Sequence, residues 1–177
     1  MGFFDYTQAR KIYRNDKTML QVIDALEDMD QYHLLRRSSI NKVSFELPDT
    51  ALEIKTWLAV CDGGLLFSTT LLGCDDYDEE LEISFSTLQE WNTKQKHELL
   101  GLPDGYLIIA ILNYGDPICI SPSDSRIYLW DMSEMTFTTV WESFTDFLAD
   151  EYNTAVQMVE DDALEPVPLK MEEQDGE

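Results

Sequence analysis

The chain has 177 residues, with 35 acidic against 12 basic side chains and a net charge of −23. That length suits one domain, which can bury most of its unfolded surface without a metal or disulfides. The charge argues against nucleic acid or an anionic membrane as direct partner, since both need clustered Lys and Arg. It favours fast association with something basic.

The charge is spread unevenly. Residues 1–42 carry +1, residues 43–157 carry −17 and residues 158–177 carry −7. The chain divides accordingly at residues 42 and 157, into an N-terminal segment (1–42) and a central domain (43–157), which the patterns below read as helical and α+β, and an acidic tail (158–177). The tail has Pro166 and Pro168 and no aromatic residue. It buries too little apolar surface to offset the entropy of ordering, so disorder is expected there.

Met1–Tyr6 has no basic start, and charge arrives at Asp5. A secretory signal is not expected, and no stretch approaches the roughly 18 apolar residues of a membrane span. Cys61, Cys74 and Cys119 are odd in number and include no C-x-x-C pair. Free thiols and a cytoplasmic location are the expectation.

In chain order, Met19, Leu20, Val22, Ile23, Leu26 and Met29 recur at helical spacing. Pro48 disfavours helix just before it, and Asp49 or Thr50 is placed to cap a helix through Leu52, Ile54, Trp57, Leu58 and Val60. Gly63-Gly64 is expected to end that helix. Leu65–Phe67 then reads as a short strand, and Glu82–Phe85 as another, on either side of an acidic loop. Thr87 and Glu90 have capping-box spacing at the head of a helix containing Trp91. The turn Gly101–Gly105 follows.

Then the period changes. Tyr106–Leu112 is continuously apolar and predicts a central strand buried on both faces. Pro117–Ser121, Arg126–Trp130 and Met135–Val140 predict three more strands, joined by tight turns as an antiparallel meander. Ser143 caps a last helix carrying Phe144, Phe147, Leu148 and Tyr152. Helices first, then strands, then one closing helix is an α+β order, with about five or six strands in the sheet.

These residues resemble a known family. Leu47-Pro48-Asp49, then Trp57-Leu58, then Cys61-Asp62-Gly63-Gly64 resembles the opening of the SUKH superfamily, although an Asn-type residue is common where Cys61-Asp62 stands. Asn113-Tyr114-Gly115-Asp116 is similar to its hairpin turn. Ile127–Asp131 resembles its following strand, and Ser143–Leu148 its closing helix. The resemblance covers roughly residues 43–152. It implies a curved, mainly antiparallel sheet with helices on one side and the C-terminal helix packed on the sheet. It implies no catalysis and no cofactor. Bacterial members resembling this chain are immunity proteins that neutralise polymorphic toxins, often nucleases; fungal relatives regulate cell-wall synthesis and signalling.

The most conspicuous cluster is Asp75, Asp76, Asp78, Glu79, Glu80 and Glu82, with Tyr77 among them. A solvated acidic loop is the plain reading. The functional reading is an anionic patch that imitates a nucleic-acid backbone in the basic cleft of a toxin. A calcium loop starting at Asp76 fails at Leu81 and Thr87, where glycine and an acid are wanted, so no metal is expected. Tyr114 and Asp116, in the later hairpin turn, are further candidate contacts. His33 and His97 lack a neighbouring nucleophile signature and read as surface residues. Trp57, Trp130 and Cys119 read as core.

Two functional expectations follow. One is a non-catalytic protein that binds and neutralises a basic toxin domain, plausibly a nuclease. The alternative is a regulatory or adaptor module related to the fungal members.

Overall fold

In a computed structural model, residues 19–27, 33–36, 47–49, 51–74, 77–78, 83–84, 87–93 and 101–164 are described. The apolar run after Tyr106 forms a strand, Leu107–Leu112, and it is the middle strand of a seven-stranded sheet. Five of its six side chains are buried, which requires cover on both faces, as the unbroken apolar run predicts.

The elements are α1 (Met19–Glu27), β1 (His33–Arg36), α2 (Leu52–Val60), β2 (Cys61–Leu65), β3 (Thr69–Leu71), β4 (Tyr77–Asp78) and β5 (Ile83–Ser84). They continue with α3 (Leu88–Trp91), β6 (Leu107–Leu112), β7 (Pro117–Ile120), β8 (Ile127–Asp131), β9 (Thr136–Trp141) and α4 (Phe144–Leu164). The sheet order is β1-β2-β3-β6-β7-β8-β9, and β4 and β5 form a separate two-stranded hairpin. Every pairing of strands is antiparallel. The α+β class, the antiparallel meander β6–β9 and the closing helix on the sheet are as expected. The sheet is larger than expected because β1, which has no alternating pattern in His33-Leu34-Leu35-Arg36, adds to the β2 edge.

Cross-strand register sorts side chains between the two faces. Ile127 lies opposite Trp141, and Trp141 meets Phe147 of α4 edge-on, with ring centroids 5.2 Å apart. This is the helix-covered face. Trp57 of α2 is fully buried there against Phe144, at 5.8 Å. Val22, Ile23 and Leu26 of α1 are also fully buried, and α1 packs on α4. Tyr128, one residue past Ile127, points to the opposite face. There it joins Tyr106 and Phe137, with centroids 5.6 and 5.2 Å away, and Phe137 meets Trp130 at 4.9 Å. Trp57, Trp130 and Cys119 are core residues as read. The three cysteines are free thiols, and burial pushes the Cys119 thiol far above its ordinary value.

Several local expectations are corrected. Ala51 is the N-cap of helix α2 and makes no side-chain cap bond; Asp49 instead lies 3.6 Å from Lys55 as an ion pair. The helix passes straight into β2, with Cys61 already extended, so Gly63-Gly64 lies inside a strand and does not end the helix. Gly63 is needed for close approach. Its φ is +95°, and an added Cβ would sit 2.8 Å from the Leu71 carbonyl oxygen. Of the expected strand Leu65–Phe67 only Leu65 is in a strand, as the last residue of β2; residues 66–68 form the turn to β3, which begins at Thr69. His33 starts β1 rather than lying in a helix. Helix α4 runs to Leu164, beyond the tail boundary drawn at residue 158.

Two caps hold as predicted. Thr87 Oγ1 accepts from the Glu90 amide at 3.2 Å, and Glu90 returns the bond to the Thr87 amide at 2.9 Å. Ser143 Oγ accepts from the Asp146 amide at 3.0 Å. Beyond α3, Asn92 does something unforeseen. Strand β3 pairs with β6 only as far as Ala110, leaving Ile108 without that neighbour. The Asn92 side chain takes its place, donating to the Ile108 carbonyl at 2.7 Å and accepting the Ile108 amide at 2.7 Å. One side-chain amide thus stands in for a strand's peptide group.

Candidate functional site

Antiparallel register brings three turns to one end of the sheet. Thr69 pairs with Leu112, so the β2–β3 turn (residues 66–68) lies beside the β6–β7 turn (residues 113–116). Ile118 pairs with Leu129, so the β8–β9 turn (residues 132–135) follows on the other side.

Hydrogen bonds lock these turns together. Asn113 donates its side-chain amide to the Phe67 carbonyl at 3.1 Å and its backbone amide to the Ser68 carbonyl at 2.9 Å. Asp116 Oδ1 accepts the Met132 amide at 3.2 Å. Asp131 Oδ1 accepts the amides of Ser133 and Glu134 at 2.8 and 3.0 Å, and the Ser133 hydroxyl at 2.7 Å. From α4 below, the Glu151 carboxylate receives the Ser68 hydroxyl at 3.0 Å.

The electrostatics follow from these hydrogen bonds and from burial, with the neighbouring carboxylates adding to them at Tyr114. The Ser133 hydroxyl, with the Glu134 and Ser133 amides, holds the Asp131 carboxyl below the usual carboxylate range. Burial raises the Glu151 carboxyl, against the opposing bonds from Thr69 and Ser68. The Tyr114 phenol is raised by partial burial and then by the carboxylates of Asp116, Asp131 and Glu151. Even so, Tyr114 remains 71% exposed at the tip of its turn.

Tyr114 is therefore exposed on its turn, as the turn position predicts. Asp116 sits beside it, with its carboxylate engaged in joining two turns. Asp131, Glu134, Phe67 and Met135 belong to the same surface, with Glu151 beneath it, and no sequence pattern groups them with Tyr114. Phe67 and Met135 read as strand residues; in the structure both are in turns, and Met135 has φ +51°. The one available signal was the Asp131-Met132-Ser133-Glu134 run, an Asp placed to bond the amides ahead of it.

The residues that flank the acidic segment are at a different place in the fold. Leu71 lies opposite Ala110, the Leu72 amide donates to the Ile109 carbonyl, and Gly73 bridges Thr87. The chain thus leaves for the acidic segment, and returns from it, toward the opposite end of β6 from Tyr114. The buried Asp62 marks the departure, accepting the Cys74 amide at 2.7 Å. Tyr77 and Asp78 form β4 and pair with Ser84 and Ile83 of β5. Asp75, Asp76, Glu79, Glu80 and Glu82 lie outside the described residues. Tyr114 and Asp116 are thus together at one end of the sheet, and Gly73 and Thr87, which flank the acidic segment, lie toward the other.

A cleft of about 220 Å³ also opens at that other end, lined by Ala51, Leu52, Ile54, Ile120, Ser143 and Phe144. It is mostly apolar, and the nearby Glu53 carboxylate accepts the Thr145 amide at 2.9 Å. Among the described residues, no group of three or more His, Cys, Asp or Glu is placed to hold a metal ion. No helix among them is long and apolar enough to cross a membrane.

A family model described as SMI1 / KNR4 family (SUKH-1) matches residues 41–150. Neither a curated protein nor a solved structure matches. The matched region contains β2–β9 and the first turns of α4, and leaves α1 and β1 outside.

Proposed function

The chain belongs to the SMI1/KNR4 family (SUKH-1), and on that premise we propose that it is a non-catalytic protein-binding domain that neutralises a cognate toxin domain by direct contact in the cytoplasm. The observation that carries this reading beyond the family is the charge: residues 43–157 alone hold −17. A domain with that field attracts a basic partner over distances near the Debye length, and it repels nucleic acid. A nuclease toxin is the partner that fits, because a cleft built for phosphate is positive. The segment Asp75–Glu82, with six acids in eight residues, offers such a cleft a substitute for a phosphate backbone.

The test is capture of partners by the tagged full chain at low salt, followed by co-expression of each captured partner with and without the chain. Recovery of a stoichiometric basic protein that arrests growth alone, and is silenced by this chain, is the expected result. Recovery only of wall-synthesis or signalling proteins, with no toxicity to relieve, would move the function to the regulatory class. Neutralising the acids of Asp75–Glu82 should slow association and flatten its salt dependence. Unchanged kinetics would show that the segment does not steer the partner's approach.

A further inference from the structure

We propose that the sheet end built by the β2–β3, β6–β7 and β8–β9 turns is the surface on which this chain seats its partner, and that the partner presents there an apolar side chain flanked by Lys or Arg. The inference rests on the protein-binding reading above; it assigns the seat itself to this sheet end and leaves to the Asp75–Glu82 segment the long-range attraction of a basic partner.

Exposed apolar groups are the first support. Tyr114, Met135 and Phe67 are 71%, 66% and 38% exposed, and all three are in these turns. Large side chains left out of the core at the tips of neighbouring turns are the usual anchors of a protein interface.

Rigidity is the second. The bonds of Asn113 to Phe67 and Ser68, and of Asp116 to Met132, fix the three turns relative to one another. Docking on such a surface orders little that is not already ordered, which favours affinity for a given contact area.

Charge decides the occupant. Asp116, Asp131 and Glu134 stand in or beside the turns, with Glu151 behind them, while residues 66–68, 113–116 and 131–135 contain no Lys or Arg. A second copy of this chain would bring the same carboxylates against them and be repelled. A Lys or Arg on the partner meets those carboxylates and the face of the Tyr114 ring, which attracts a cation.

The test uses the full chain, labelled with nitrogen-15, and a synthetic peptide of alternating Arg and Leu as probe, with a Glu-Leu peptide as control. At low ionic strength the Arg-Leu peptide should move the amide signals of residues 67–68, 113–116 and 132–135, and the Glu-Leu peptide should not. Combining Tyr114→Ser with Met135→Ser should weaken the Arg-Leu peptide about tenfold. Leu52→Ser, an equally exposed apolar side chain beside the far cleft, should leave its binding unchanged. Shifts centred on residues 121–126 or on Cys74 and Thr87, no saturable binding, or full binding by the double variant would each overturn the proposal. The toxin reading stands or falls independently of this surface. If the double variant still silences a toxin that the wild type silences, the surface is wrong and the toxin reading stands. If the peptide docks here while no captured partner is toxic, the surface stands and the toxin reading falls.

Discussion

Glu151 and Ser68, 83 residues apart in the chain, meet where α4 passes beneath the β2–β3 turn. The Ser68 hydroxyl lies 3.0 and 3.1 Å from the two carboxylate oxygens. The carboxylate is largely buried, and burial raises its pKa despite the bonds it receives. A carboxyl raised in the folded state binds its proton more tightly there than in the unfolded chain. Its contribution to stability is therefore fully present below the unfolded pKa and is lost as pH rises through the folded one. Glu151→Gln should gain stability relative to wild type between pH 4 and pH 8. Ser68→Ala should lose about 1–2 kcal/mol near neutral pH, where the charged form most needs its donor. Urea unfolding of both variants across that range gives the comparison. A pH-independent difference for Glu151→Gln would mean that the carboxyl is not raised.

Asn92 is the second residue whose replacement should be costly. Its side chain satisfies both the amide and the carbonyl of Ile108, and also donates to the Leu88 carbonyl at 2.8 Å. Asn92→Ala leaves two backbone groups of a central strand without partners. A loss of about 2–4 kcal/mol is expected, with faster amide exchange at Ile108. Asn92→Asp should also be destabilising, because a carboxylate has no proton to give the Ile108 carbonyl. If it unfolds no more readily than wild type, the side chain does not bridge to the strand.

The glycines separate strain from crowding. Gly63→Ala meets both, with a positive φ and a Cβ driven against the Leu71 carbonyl, and should cost about 3 kcal/mol or more. Gly101→Ala has φ +64° but only ordinary contact, 3.7 Å from Met135, and should cost about 1–2 kcal/mol. Denaturant midpoints of the two variants should fall in that order. Equal losses would show that the backbone beside Gly63 yields readily.

The phenol of Tyr114 reports the field at the sheet end. It should titrate above the ordinary value of about 10 and move back toward it as salt screens Asp116, Asp131 and Glu151. Asp131→Asn should shift it the same way. Carbon-13 labelling of the tyrosine rings allows the titration to be followed at this residue. A phenol pKa indifferent to salt would show that those carboxylates do not act on it.

Features held by near neighbours are legible along the chain. The Thr87–Glu90 box and the Ser143 cap each close over three residues, so residue type and spacing suffice. The strand β6 is legible because seven consecutive apolar side chains have no solvated face to offer. The meander β6–β9 is legible because short turns leave adjacent strands no other partner. The family resemblance drew on the same short-range patterns, and the match over residues 41–150 agrees with it.

Tertiary structure alone decided the rest. β1 is a strand because the β2 edge offers it hydrogen bonds, and His33-Leu34-Leu35-Arg36 has no alternation to announce that. Gly63-Gly64 has the composition of a helix stop, yet the nearness of Leu71 and Gly73 makes it a strand crossing. Asn92 completes a strand 16 residues away, and no local pattern marks a side-chain amide for that task. The site divides the same way. Tyr114 was exposed by its turn alone, but grouping it with Phe67, Met135, Asp131 and Glu151 required the register of four strands and the path of a helix. That register also set the residues bracketing the acidic segment toward the opposite end of β6. Sequence spacing records which groups are neighbours along the chain, whereas a binding face is made of groups that become neighbours only when distant segments pack.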